Sequence, residues 1–258
     1  NGETLLAHSP KHIEELHAEA RHLEKELGLK PSLVEQNELR QHGLASPQFH
    51  GALTNPIGFA LNPIKYVSGL AEQINKAAIA AFGNSPALDI APHEDGWKVQ
   101  TPKGTVSAKH LVIATNGYSS EDIPGWLKGR LLPTLTNIIV TRPLTPQELA
   151  SQGWTSHQMC YDTRNSLHYF HLLPQQDGEE GPRMLFGMRA GTSATPTSQA
   201  RMKTRIRADF DSIFPEWRAV ETPFFWSGLV CLTRDLLSFT GPIPGMKNAY
   251  ASLAYHGN

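Results

Sequence analysis

The sequence predicts an α/β chain in which a helix-bearing part is interleaved with a largely antiparallel sheet. Three observations carry this. Two segments, opening at Ser9 and at Asn62, space their apolar residues by three and four behind clear helix-start signals. The strand-like run Leu111-Val112-Ile113-Ala114 passes directly into the small turn Thr115-Asn116-Gly117. Between about 135 and 189 the chain alternates strand-like segments with Pro-, Gln- and Gly-rich turns, the pattern of antiparallel pairing.

The elements follow in order. Ser9 is the N-cap of the first helix, with Pro10 in its first turn; Ile13, Leu16, Ala20, Leu23 and Leu27 form its stripe and Gly28 stops it. The stretch SPQFHGALTNPIGFALNP is expected to be irregular chain crossing between domains. The second helix starts at Asn62-Pro63, is expected to bury Val67, Leu70, Ala71, Ile74 and Ala78, and fades near Gly83. Short strands come next at 88–91, 97–101 and 106–108. Trp97, Val99 and Thr101 alternate with Lys98 and Gln100, giving this meander one dry and one wet face. Strand 111–114 follows, then strands at 135–142, 159–173 and 183–189. A helix over 199–214 turns Met202, Ile206, Phe210 and Ile213 to one side, and strands return at 224–233 and 249–255. Internal repeats and low-complexity tracts are absent.

Composition narrows the function. A chain of 258 residues can bury one large core or two interleaved ones. With 23 Lys+Arg against 24 Asp+Glu and no block of like charge, it carries no footprint for nucleic acid or an anionic membrane. Its apolar runs stop well short of the roughly 18 residues of a membrane span, so the expected ligand is a small molecule. Cys160 and Cys231 form no metal-type or redox-type pair, which fits a reducing, cytoplasmic setting. Twelve histidines include no His-x-x-x-His beside a glutamate, and His168 and His171 fall on opposite faces of a strand, so no metal site is expected. Oligomeric state leaves no mark in the pattern.

A strand that ends Ala-Thr-Asn-Gly has a physical use. In open α/β sheets ligands bind beyond the carboxyl ends of the strands, where small residues let a phosphate or sugar approach the backbone. An ordinary Asn-Gly turn after a buried strand is the other reading of these four residues. The wider context favours the first: KHLVIATNGYS, after a helix and a meander, resembles the second nucleotide-contacting strand of flavoproteins with the two-dinucleotide-binding-domain fold. The run FFWSGLVCLTRDLLSFTGPIPGMKNAYASLAYHGN is similar to the closing segment of the D-amino-acid oxidase superfamily, in the branch of glycine oxidase, sarcosine oxidase and gamma-glutamylputrescine oxidoreductase. The matching residues are Trp226 and Gly228, Thr233 and Asp235, Gly241-Pro242, and Tyr255-His256-Gly257. FHGALTNPIGFALNPIKYVSGLA and YDTRNSLHYF resemble the same branch, most closely its putrescine-conjugate oxidoreductases.

The resemblance implies an incomplete FAD/NAD(P)-binding fold of that type with an interleaved antiparallel substrate domain. Residues 1–30, 61–130 and 224–258 would belong to the FAD-binding domain, and 31–60 and 131–223 to the substrate domain. It implies FAD as cofactor, touched by Ala87, Ala114, Thr115, Asn116, Gly117, Gly228, Tyr255, His256, Gly257 and Asn258. The cysteine that tethers flavin in sarcosine oxidases aligns with Gly228, so non-covalent FAD is expected, with Cys231 a small core residue. Tyr161, Tyr169 and Trp226 would line the substrate, with His168 and Phe170 in the same wall, plain core packing being the other reading of these aromatics; His256 would be catalytic, beside the flavin where developing charge needs donors, with a surface histidine in a turn as the other reading. Arg164, Arg189 and Arg234 could hold a substrate carboxylate by a bidentate contact, with an ordinary surface charge as the other reading of each. The implied reaction takes hydride from the carbon next to an amine nitrogen, hydrolyses the imine and passes the electrons to oxygen. The family's opening strand, Gly-x-Gly-x-x-Gly turn and helix have no counterpart here. The chain is therefore expected to be an internal piece of a longer polypeptide, inactive and a poor FAD binder by itself. A non-catalytic subunit of the same fold, or an NAD(P)-dependent flavoprotein reductase, also fits these residues.

Overall fold

The structure is a computed structural model, and it describes residues 2–256. The first half of the chain forms β1 (Glu3–Leu6), α1 (Ile13–Leu27), β2 (Ser32–Glu35), β3 (Gly51–Asn55), α2 (Pro63–Lys76), β4 (Asp89–His93), β5 (Gly96–Thr101), β6 (Gly104–Ala108) and β7 (Leu111–Ile113). The second half forms β8 (Leu132–Val140), α3 (Pro146–Gln152), β9 (Met159–Asp162), β10 (His168–Leu173), β11 (Arg183–Arg189) and α4 (Pro196–Ile213). It closes with β12 (Phe224–Leu232), β13 (Phe239–Pro242) and β14 (Ala249–Leu253). The mixed α/β architecture agrees with the predicted class. Two compact units result, one from 1–60 and 135–228, the other from 61–134 and the chain after Gly228.

The first unit is built on an eight-stranded sheet, ordered β12-β8-β11-β10-β9-β1-β3-β2. From β8 to β2 its pairing is antiparallel except where β1 runs parallel to β9. One face is dry. There α4 sets Met202, Ile206, Phe210 and Ile213, all buried as the spacing predicts, against Phe170, Phe186 and Phe214. The Phe170 and Phe186 rings stack at 5.6 Å and Phe210 meets Phe186 edge-on, a geometry that adds to the burial of apolar area. On the opposite face, at the β1–β3 end, α1 lays Leu16, Ala20 and Leu23 over Leu53. A 3-10 turn at Pro10–His12 delays the start of α1 to Ile13, and Gly28 ends it with a left-handed φ of 64°, while Leu27 stays exposed.

In the second unit β4, β5 and β6 form the expected meander, and β13-β14-β7 form a separate three-stranded sheet in which β14 runs parallel to β7. Trp97 on the dry side of β5 joins a core with Ile113, Cys231, Ile243, Ala249, Ala251 and Leu253, and its Nε1 donates to the Lys247 carbonyl at 2.9 Å.

Three expectations need correction. Residues 1–30 do not group with 61–130: β1 is hydrogen-bonded on both sides, to β3 and to β9, which ties it into the first unit. The Pro- and Gly-rich link between the first two helices holds a regular strand, β3, inserted between β1 and β2. Helix α2 forms where its signals stand, with Asn62 accepting from the Lys65 N–H at 3.0 Å, and it ends at Lys76. Every residue of its expected stripe (Val67, Leu70, Ala71, Ile74 and Ala78) is nevertheless exposed, because no element among the described residues covers that face. Among the described residues, no helix is long and apolar enough to cross a membrane.

Candidate functional site

Strands β7 and β14 lie side by side with Leu111 opposite Ala249 and Ile113 opposite Ala251, so their carboxyl ends emerge together. Beyond β7 a single 3-10 turn, Asn116–Tyr118, is stitched by Ser119, whose hydroxyl donates to the Asn116 carbonyl and meets Thr115 Oγ1, both at 2.7 Å. Asn116 Oδ1 then accepts the backbone N–H of Ala254 at 2.9 Å, one residue past β14. Asn116 of the first turn is therefore joined directly to the residue that precedes Tyr255.

Left-handed backbone gathers there. Asn116, Ala254 and His256 have φ of 46°, 61° and 59°. Asparagine tolerates this region; alanine and histidine sit there at a cost of roughly 1–2 kcal/mol each, a strain that gathers at functional sites. Gly117 is buried, and a side chain on it would press against Leu229, the residue after Gly228. Ala114 and Thr115 are exposed at the turn. His256 Nε2 lies 3.3 Å from Thr233 Oγ1. Since that hydroxyl gives its hydrogen to the Leu237 carbonyl at 2.7 Å, the imidazole is the donor. Tyr255 is hydrogen-bonded to Ser252. Gly257 and Asn258 lie outside the described residues. Ala87 is exposed on the approach to β4, in a different sheet from the two turns, and Gly228 is half-buried within β12.

The first unit presents a second surface. Successive strand residues point to opposite faces, and the face away from α4 carries Tyr161 on β9, directly paired with Tyr169 on β10. It also carries Trp226 on β12, since its neighbour Phe225 packs into the aromatic core. The three predicted substrate residues thus share one face. Burial raises the pKa of both tyrosines, most strongly, and keeps the phenols neutral. Thr136, Ile138, Leu185 and Arg189 lie on this face as well. Sequence reasoning passed over Thr136, although strand alternation around Asn137 was the available signal.

His168 and Phe170 depart from the expected wall: both turn into the dry side, because they hold the opposite parity to Tyr169 in β10. His168 is clasped between two carboxylates, with Nδ1 at 2.8 Å from Asp162 Oδ2 and Nε2 at 3.2 Å from Asp209 Oδ2 on α4. Burial alone would lower the imidazole's pKa, but the hydrogen bonds to Asp162 and Asp209 outweigh it and raise the value. Asp162 is held below the ordinary carboxylate range against its own burial by His168 and Arg164. Arg164 is committed to Asp162 and to Gln48, which removes it as a carboxylate holder, whereas Arg189 stays on the substrate-candidate face. Cys231 is buried in the second unit's core, which raises its thiol pKa. Among the described residues no cluster of His, Cys, Asp or Glu is arranged to hold a metal ion.

A mixed α/β fold with small, strained turns at adjoining parallel strand ends does not fix a class by itself, and sequence comparison gives it. The FAD dependent oxidoreductase (DAO) family model matches residues 1–258, and the chain belongs to that family, whose cofactor is FAD. Among curated relatives, it is 24% identical over 261 residues to the probable oxidoreductase OrdL of Haemophilus influenzae, and 24% over 257 residues to the gamma-glutamylputrescine oxidoreductase of Escherichia coli. Each alignment takes in 100% of this chain and 57% of the relative, so the chain spans little more than half their length. Glycine oxidase from Geobacillus kaustophilus superposes with a TM-score of 0.77 at 17% identity, over 99% of this chain and 65% of that one. L-proline dehydrogenase from P. horikoshii gives 0.77 at 16%, over 100% and 67%. At such identities these structures establish the fold. The residues at the β7 end suit a dinucleotide: the small side chain of the exposed Ala114 leaves the backbone approachable, and Thr115 offers an exposed hydroxyl.

Proposed function

We propose that the complete protein oxidises a C–N bond of an amine or amino acid. In this reading the second unit holds FAD non-covalently and the first unit holds the substrate. FAD, when bound, supplies the two-electron acceptor. The observation that carries the reading is the Asn116–Ala254 hydrogen bond, which fixes two left-handed turns at the mouths of adjacent parallel strands. Ala114, Thr115, Asn116 and Gly117 are assigned to the cofactor together with Tyr255 and His256; Ala87, Gly228, Gly257 and Asn258 rest on the family resemblance alone.

The remaining chemistry falls to the chain. An amine can release hydride from its α-carbon only when its nitrogen lone pair is free, so the site must disfavour the ammonium form. A face of Tyr161, Tyr169, Trp226, Ile138 and Leu185 supplies that apolar setting. His256, its Nε2 held by Thr233, stands at the end of the cofactor turn, where its backbone N–H can support developing negative charge. The imine product hydrolyses in water, and oxygen is the proposed final acceptor. Two buried, unbridged cysteines fit a reducing, cytoplasmic setting.

The complete purified protein should show a flavin absorption band that an amine bleaches under anaerobic conditions without nicotinamide. Acid precipitation should leave the yellow colour in the supernatant. Colourless, amine-inert protein would favour a non-catalytic subunit, bleaching by NAD(P)H alone would favour a reductase, and colour in the pellet would contradict non-covalent binding.

A further inference from the structure

On the substrate-candidate face, β11 displays Leu185, Gly187 and Arg189 in turn. Gly187 has no left-handed φ, so backbone conformation does not explain it. Space does: a Cβ built on Gly187 would overlap ring atoms of Tyr169. The Tyr169 ring therefore lies across β11 from its own strand β10, and its hydroxyl reaches Thr136 Oγ1 on β8 at 2.5 Å. One hydrogen joins these two hydroxyls, and the other hydrogen remains to be donated. The pair is a polar spot among Tyr161, Ile138, Leu185 and Trp226, and the Arg189 charge occupies the next position along β11.

We propose that Gly187 determines substrate specificity, by letting Tyr169 lie flat and present, with Thr136, a hydroxyl pair that selects amines bearing an acceptor oxygen. The inference rests on the assignment of this face to the substrate. A carboxylate and an amide carbonyl both offer such an oxygen, and the choice of test amines separates them. A side chain at 187 would lift the ring, break the bond to Thr136 and leave the face apolar there. A site built to hydrogen-bond a ligand oxygen discriminates strongly against analogues that lack it, whereas an apolar face does not.

The complete flavoprotein should be assayed with butylamine, sarcosine and N-acetylputrescine, which offer no acceptor, a carboxylate and an amide. Wild type should prefer one acceptor-bearing amine over butylamine by about tenfold or more in kcat/KM. Gly187→Ala should raise KM for that amine by about tenfold while kcat changes by less than about threefold. Tyr169→Phe and Thr136→Val, which leave the β11 backbone untouched, should lose the same preference, so the inference survives a Gly187→Ala protein that fails to fold. On a Tyr169→Ala background, adding Gly187→Ala should change KM by less than about twofold, because the ring it displaces is gone. A preference that persists in both hydroxyl variants, or a Gly187→Ala effect equal on both backgrounds, overturns this inference alone. A flavin-bearing wild type inert to all three amines overturns the functional reading with it.

Discussion

At the scale of single residues, the candidate cofactor end depends on one side chain. Asn116 meets two demands together: it tolerates a left-handed φ and its amide oxygen satisfies the N–H of Ala254, itself left-handed. Alanine meets neither. Asn116→Ala should therefore destabilise the chain by about 1–3 kcal/mol, read as a lower urea midpoint at constant slope; an unchanged midpoint would show that the bond is dispensable. The asparagine was legible as the turn residue after a buried strand, because local backbone chemistry is written in adjacent residues. Its partner was not legible, since the bond spans 138 positions. Tyr169 and His168 show the same limit. Strand alternation separates them onto two faces but does not say which face is dry, and both residues tolerate either side.

Among elements, α4 and α2 carry similar amphipathic spacing with opposite outcomes. In α4 the whole stripe is buried by the β10–β11 side of the sheet, and in α2 the stripe is exposed. Periodicity reports what a helix face can do, and burial depends on what is packed on it. Helix α3 is the reverse case: at seven residues it is too short for periodicity, yet Thr145, Pro146, Glu148 and Gly153 spell out its caps, and the Thr145–Glu148 capping box closes as that pattern implies. The contact of α4 with the sheet has a polar component in the Asp162–His168–Asp209 clasp. A raised His168 pKa contributes stability in full below the free imidazole value of about 6.5, and the contribution is lost as pH rises through the folded value. A lowered Asp162 pKa contributes above the free carboxylate value of about 3.9 and is lost as pH falls through its folded value. The clasp is thus strongest between about pH 4 and 6.5. Urea unfolding at pH 6 and pH 9 should show wild type losing more stability on the alkaline side than His168→Gln; parallel losses would contradict the clasp. Asp162→Ala should cost about 3 kcal/mol or more at pH 6, because it leaves a buried imidazolium without its main partner.

For the whole molecule, the α/β class and its antiparallel sheet were visible from strand patterns, and so was a family resemblance over almost all of the chain, which the family model matches from 1 to 258. The grouping of residues 1–30 was not visible, because β1 is placed by pairing with β9 more than 150 positions away. The two proposed functional surfaces fall to different units: strand-end turns in the second and the Tyr161–Tyr169–Trp226 face in the first. The central claim, that the joined β7 and β14 turns hold the flavin, meets its most direct test in an FAD titration of the complete apoprotein by quenching of flavin fluorescence. Asn116→Ala should weaken FAD binding by about tenfold or more, with the circular dichroism spectrum unchanged, while Tyr169→Phe binds FAD as wild type does. Wild-type FAD affinity in a folded Asn116→Ala protein would contradict the account.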